Sequence, residues 1–292
     1  MHPTPPFSIA SIPRAARAAL QWRLLLLWVL WMLVPTLIMA LPAWHLLSAS
    51  LDYSVHAAAL ARALDMTALS DLMAVHARHQ VAVTQAGSMA LLATVLISPM
   101  LSGMVATAAR AEHVPSFAAL TRGGVDYYAP MLRLLAWGAL PLGVAFVAGM
   151  SAIDAASAYA GKAIAADDAA LPLMLAQALM VLLIGLVTVS LDAGRAFLAY
   201  DPRKHSALGA WRSGCTLLVR HPLAALGSYV GISIAGLAVA GLLALARANM
   251  AGVDALGFTS ALLLTQAAVV TIGWTRSARL FALIELARTR MT

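Results

Sequence analysis

The side chains best suited to acid–base or metal chemistry gather between residues 44 and 86. That stretch holds four of the eight histidines, His45, His56, His76 and His79, together with Asp52, Asp65 and Asp71. His76 and His79 are three apart, which places both imidazoles on one helix face. A carboxylate beside them would complete a zinc site with an open coordination position. The stretch has no His-Glu-x-x-His motif and no three ligands close together. Runs such as His56-Ala57-Ala58-Ala59 read as a helix with one polar face, followed by another capped at Asp65 or Ser70. The expectation is a solvated outer surface with no metal, no cofactor and no catalytic residue. The single Cys215 excludes an intrachain disulfide and a multi-cysteine metal site.

Asp192 and Arg195 form the second constellation. Three residues apart, they share a helix face, and the expectation is a structural ion pair at a membrane boundary rather than a proton relay. No pair of carboxylates falls in the middle of an apolar window, which counts against a proton- or sodium-coupled transporter. Phosphate-binding glycine loops, a Gly-x-Ser-x-Gly elbow and a supported Cys-His pair are all missing from the sequence.

The elements that must position these residues are membrane helices. Of 292 residues, 62% are apolar and 11% charged, with a mean hydropathy of +0.86. A soluble domain has about 45–50% apolar residues and about 25% charged ones, so a water-soluble globule is excluded. Crossing a hydrocarbon core takes about 20 apolar residues, and six windows qualify: 24–43, 87–109, 131–153, 171–194, 222–246 and 257–275. The first is too long for a signal-peptide core of roughly 7–15 residues and reads as a retained span. Pro99 and Pro141 lie inside their windows and are expected to kink the helices. Gln177, Thr188, Ser190, Thr265, Gln266 and Thr271 are candidates for hydrogen bonds between helices, and Gly227-xxx-Gly231 and Ala145-xxx-Gly149 for close helix approach.

The charges orient the spans. With an even number of crossings, the N-terminus, the second and fourth connections and the C-terminus share one side. Of the nineteen Lys and Arg residues, all but Arg62, Arg78, Lys162 and Arg247 fall on that side. By the positive-inside rule both termini are cytoplasmic. The net charge of +7 and pI near 10.2 thus read as a topology signal, with anionic headgroups as counter-charge and no nucleic-acid partner.

Before each odd-numbered window stands a short amphipathic stretch, at 11–23, 115–129 and 202–220. Pro13, Pro115 and Pro202 suit a first helical turn, and Asp201 suits a cap. An Arg followed by two small residues recurs as Arg17-Ala18-Ala19, Arg122-Gly123-Gly124 and Arg212-Ser213-Gly214. The pattern predicts three helices in the cytoplasmic headgroup layer, with Arg17, Arg122 and Arg212 as lipid-phosphate contacts. The expected fold is all-α: a polytopic membrane protein of three helical hairpins, each with such a lead-in. Residues 1–10 form a disordered tail and 11–292 a single six-span domain.

Ser98-Pro99 through Arg110, and the run from Asp192-Ala193-Gly194-Arg195 through Arg220-His221-Pro222, carry a resemblance. They resemble the membrane domain of some bacterial glycerophosphodiester phosphodiesterases and related uncharacterised six-pass families of bacterial inner membranes. The resemblance implies a fold and an inner-membrane location. In those enzymes the catalytic carboxylates and histidines belong to a separate soluble domain, which is not among these 292 residues, so the activity does not carry over. The functional expectation is a non-enzymatic inner-membrane protein that scaffolds partners or organises lipids. A permease-like subunit or small-solute transporter is the second reading, favoured by a polar cavity lined by Gln177, Thr265 and Gln266. A lipid-modifying membrane enzyme is the third. Membrane lipids are the expected partners, with a protein partner or a second copy left open.

Overall fold

The computed structural model describes residues 11–51, 80–161, 166–200, 206–250 and 255–291. Among them every regular element is a helix: α1 (Ser11–Ala18), α2 (Trp22–Leu51), α3 (Gln80–Arg110), α4 (Phe117–Asp126), α5 (Tyr128–Ala160), α6 (Ala166–Tyr200), α7 (Ala207–Arg220), α8 (Pro222–Ala248) and α9 (Ala255–Met291). Six of these, α2, α3, α5, α6, α8 and α9, are long and apolar enough to cross a membrane. Each outruns its hydropathy window, because polarity ends an apolar run while the helical backbone hydrogen bonds continue past it. Pro35, Pro42, Pro99, Pro141 and Pro172 all lie within helices whose assignment is unbroken.

The chain divides into two compact units. One comprises Met1–Ala19, Ser102–Ile232 and Ser277–Thr292, the other Leu20–Leu101 and Ser233–Arg276. In the first unit α5 and α6 run antiparallel along each other. A Cβ added at Gly138 would stand 2.8 Å from the Leu191 side chain, and one at Gly149 2.6 Å from that of Met180. The glycines are what let the two backbones come this near. Ala145-xxx-Gly149 thus lies at a helix contact. Around Gly227 and Gly231, by contrast, there is nothing within 4 Å of an added Cβ, so that pair faces open space and mediates no close approach.

In the second unit Trp28 of α2 is buried against α9, where a Cβ at Gly273 would come within 2.7 Å of its ring. Gly236 of α8 admits Thr275 of α9 in the same way, with only 1.9 Å between the position of an added Cβ and the Thr275 hydroxyl oxygen.

The hydroxyls expected to bridge helices are mostly spent on their own helix. Thr188 donates to the Ile184 carbonyl at 2.7 Å, Thr265 to Ala261 at 2.8 Å and Thr271 to Ala267 at 2.8 Å. A Ser or Thr in an apolar helix finds an acceptor one turn back without any partner helix, and that local bond wins. Ser190 differs. It donates to Val187 at 2.7 Å and also accepts a hydrogen bond from Trp211 Nε1 at 3.0 Å.

Candidate functional site

Three short helices precede α2, α5 and α8, and each docks on the last turns of a long helix within the first unit. The α4 helix packs on the end of α3. Its Gly123 and Gly124 are buried, and a Cβ at Gly123 would collide with Thr107 of α3. A Cβ at Gly103 would in turn lie 3.1 Å from Gly124 Cα. Arg110, the last residue of α3, donates to the Tyr127 hydroxyl just past α4. The α7 helix packs on the end of α6 in the same manner, with Gly214 buried and its added Cβ only 2.6 Å from the Gly194 backbone nitrogen. Ala15 of α1 and Ala19 just past its end are buried, and Arg14 of α1 reaches Glu285 near the end of α9 at 3.8 Å.

The Arg-small-small triplets therefore share one geometry. Arg17, Arg122 and Arg212 are exposed, while Ala19, Gly124 and Gly214, two residues on, are buried. A rotation of about 200° separates residues i and i+2 of an α-helix, so docking through the small residue turns the guanidinium outward. Beside Arg212 lies a recess of about 310 Å³ that also takes in Ser213, Arg220 and His221 over a floor of Phe197 and Leu217. Two arginines, a histidine and two hydroxyl residues, Ser213 and Thr216, line this one recess, a composition suited to a phosphate or carboxylate.

The helix starts differ from expectation in two places. Ser206 caps α7 by accepting from Gly209 N at 3.3 Å; Asp201 and Pro202 lie outside the described residues. Ser116 caps α4, accepting from Ala119 N at 3.2 Å, which leaves Pro115 before the helix instead of inside its first turn. Ser and Pro adjoin at 115–116, and the hydroxyl, which satisfies an otherwise orphaned N–H, sets the boundary.

Asp192 and Arg195 are ion-paired on α6, their side chains each 11% exposed. The second carboxylate oxygen accepts a hydrogen bond from the Tyr229 hydroxyl of α8 at 2.9 Å. Arg279 of α9 lies over the Tyr229 ring, 4.7 Å from its centroid. The carboxylate thus links α6 to α8, and Arg279 brings in α9 through the Tyr229 ring. Neither Tyr229 nor Arg279 was singled out from the sequence. An Arg at 279 reads as an ordinary flanking charge, and nothing in local spacing brings α8 to α6.

Of the histidine stretch, His45 is exposed on α2, while His56, His76 and His79 with Asp52, Asp65 and Asp71 lie outside the described residues. Gln177 is exposed on α6, and the Thr265 hydroxyl is committed to its own helix. Cys215 is half-buried on α7. Burial pushes its thiol above the ordinary value, and a hydrogen bond with Ser190 pulls it the other way. No protein-family profile, curated protein or solved structure matches the chain.

Proposed function

We propose that the chain is a non-enzymatic protein of a bacterial inner membrane that organises anionic lipids through its cytoplasmic face. The observation that carries this reading is the repeated pattern at α1, α4 and α7, in which an exposed arginine is followed two residues later by a buried small residue. On this reading the three are amphipathic helices of the headgroup layer, the lead-ins of three helical hairpins. The resemblance to the six-pass membrane domain of glycerophosphodiester phosphodiesterases points to the same setting.

A guanidinium held at an anionic surface contributes about 1 kcal/mol, and its fork matches phosphate oxygens. The Arg212 recess adds Arg220 and His221 to one of the three positions. Replacing Arg17, Arg122 and Arg212 together by Gln should cut co-purification of anionic phospholipid several-fold while the spans still insert. The remaining association should depend less on salt, because fewer charges are left to screen. Unchanged retention would sink the lipid-organising role and bring the permease-like reading to the front.

The orientation is tested by the lone thiol. In a Cys215→Ala background, a cysteine at the exposed Gly161 should react with an impermeant maleimide on intact cells. One at Val114, 58% exposed, should react only after permeabilisation. The reverse pattern would place both termini outside and overturn the charge-based topology.

A further inference from the structure

A groove of about 580 Å³ lies wholly within the second unit, walled by α2, α3 and α9. Its α2 wall extends from Trp28 to Met39, which at the rise of an α-helix is about 16 Å. That is about half of the roughly 30 Å hydrocarbon thickness of a bilayer, the depth filled by one leaflet's acyl chains. The lining is almost entirely apolar. Its two hydroxyls are turned onto their own helices, Thr36 donating to Met32 and Thr94 to Ala90, each at 2.8 Å. Along that apolar wall a hydrated solute would lose most of its water and find few hydrogen bonds in return.

One end of the groove carries a cation. Arg276 lines it, donates to Ser98 Oγ at 2.8 Å, and stands 5.7 Å from the centroid of the Trp28 ring. Serine and indole orient the guanidinium at that end. An apolar slot of leaflet depth with an oriented cation at its mouth is complementary to one class of molecule, an anionic amphiphile.

From this geometry we infer that the groove holds one acyl chain of an anionic phospholipid, its phosphate at Arg276 and its tail running past Met32 toward Met39. The inference rests on the lipid-organising reading and names the lipid class, yet it uses none of Arg17, Arg122 or Arg212. A second copy of the chain is a poorer occupant. Among the described carboxylates of its long helices, Asp192 is paired with Arg195 and Tyr229, and Glu285 reaches Arg14. Asp167 and Asp168 stand in the first turn of α6, at the opposite end of that helix from α7. Asp154 stands in the last turns of α5, at the opposite end of that helix from α4.

The test uses the full chain in nanodiscs of phosphatidylcholine and phosphatidylglycerol. These are doped with phosphatidylglycerol carrying a diazirine near the end of one acyl chain, and adducts are mapped by mass spectrometry. Labelling of Met32 through Met39 should exceed that from a matched phosphatidylcholine probe at least fivefold. Nothing lies within 4 Å of a Cβ added at Gly87, on the groove wall, so Gly87→Leu has room for its Cβ and adds bulk to that wall. It should cut groove labelling at least fivefold and leave adducts on the outward-facing Leu242 unchanged. Arg276→Gln should abolish the preference for phosphatidylglycerol.

Equal labelling by the two probes in the unaltered protein would overturn the inference whatever the variants do. So would an indifferent Gly87→Leu, or a crosslinked dimer at this face in place of lipid adducts. If Gly87→Leu does not insert, Ala90→Leu on the same wall carries that arm. The Arg17, Arg122 and Arg212 triple variant should keep its groove adducts. Its effect on bulk lipid retention therefore reports on the lead-in helices alone.

Discussion

Asp192→Asn is expected to cost about 3 kcal/mol of stability, the low end for breaking a buried ion pair, because the pair keeps slight solvent contact. The substitution leaves the Arg195 guanidinium in a largely dry site with no anion. It also removes the charged acceptor that the Tyr229 hydroxyl reaches from α8. Arg195→Gln added to Asp192→Asn should restore part of the loss, since neither charge is then stranded. Tyr229→Phe keeps the ion pair and the ring beneath Arg279, so it should cost less, about 1.5 kcal/mol, the low end for one hydrogen bond to a charged group. Unfolding titrations in mixed micelles with a denaturing detergent give all four values. Additive losses for Asp192→Asn and Arg195→Gln would mean that the pair carries no coupling energy. Equal costs for Tyr229→Phe and Asp192→Asn would mean that the carboxylate's charge is not what holds the cluster.

This cluster shows where sequence reading ends. The pairing of Asp192 with Arg195 is legible because i and i+3 share a helix face whatever the fold. Tyr229 joins them across 37 positions, and Arg279 from a further helix, which only the packing of non-adjacent helices decides. The six long helices were legible because crossing a bilayer forces both length and apolarity on the chain. Glycine spacing alone was not informative. Ala145-xxx-Gly149 lies at a contact, while Gly227-xxx-Gly231 faces open space. The missing information is the partner surface, since small residues permit close approach without causing it. The Arg-small-small triplets announced exposed arginines, and the close approach to Gly103, Thr107 and Gly194 that places them is set by residues of other helices.

Gly214→Ala should be destabilising, against the usual sign for a glycine inside a helix. Removing backbone freedom ordinarily favours alanine there by about 1 kcal/mol. At Gly214, however, the new Cβ would stand 2.6 Å from Gly194 N and 3.0 Å from both the Ala193 carbonyl carbon and the Ser190 carbonyl oxygen. All three are backbone atoms of α6, so no side chain can swing aside and α7 itself must move. A cost of about 2 kcal/mol is expected, within the range for overpacking a tight contact. Gly185→Ala, on the same helix α6 with nothing within 4 Å, supplies the contrast and should be neutral or stabilising by up to about 1 kcal/mol. The displacement has a second reporter. Lifting α7 would separate Trp211 from Ser190 and expose Cys215, whose thiol burial holds above its ordinary value. A raised thiol pKa means less thiolate at a given pH, so exposure should speed alkylation at pH ~8, and the rate's rise with pH should shift to lower pH. Gly214→Ala that is stable and leaves Cys215 alkylation unchanged would mean that α7 does not rest on α6 through this glycine. The outward aim of Arg212, two residues before it, would then need another cause.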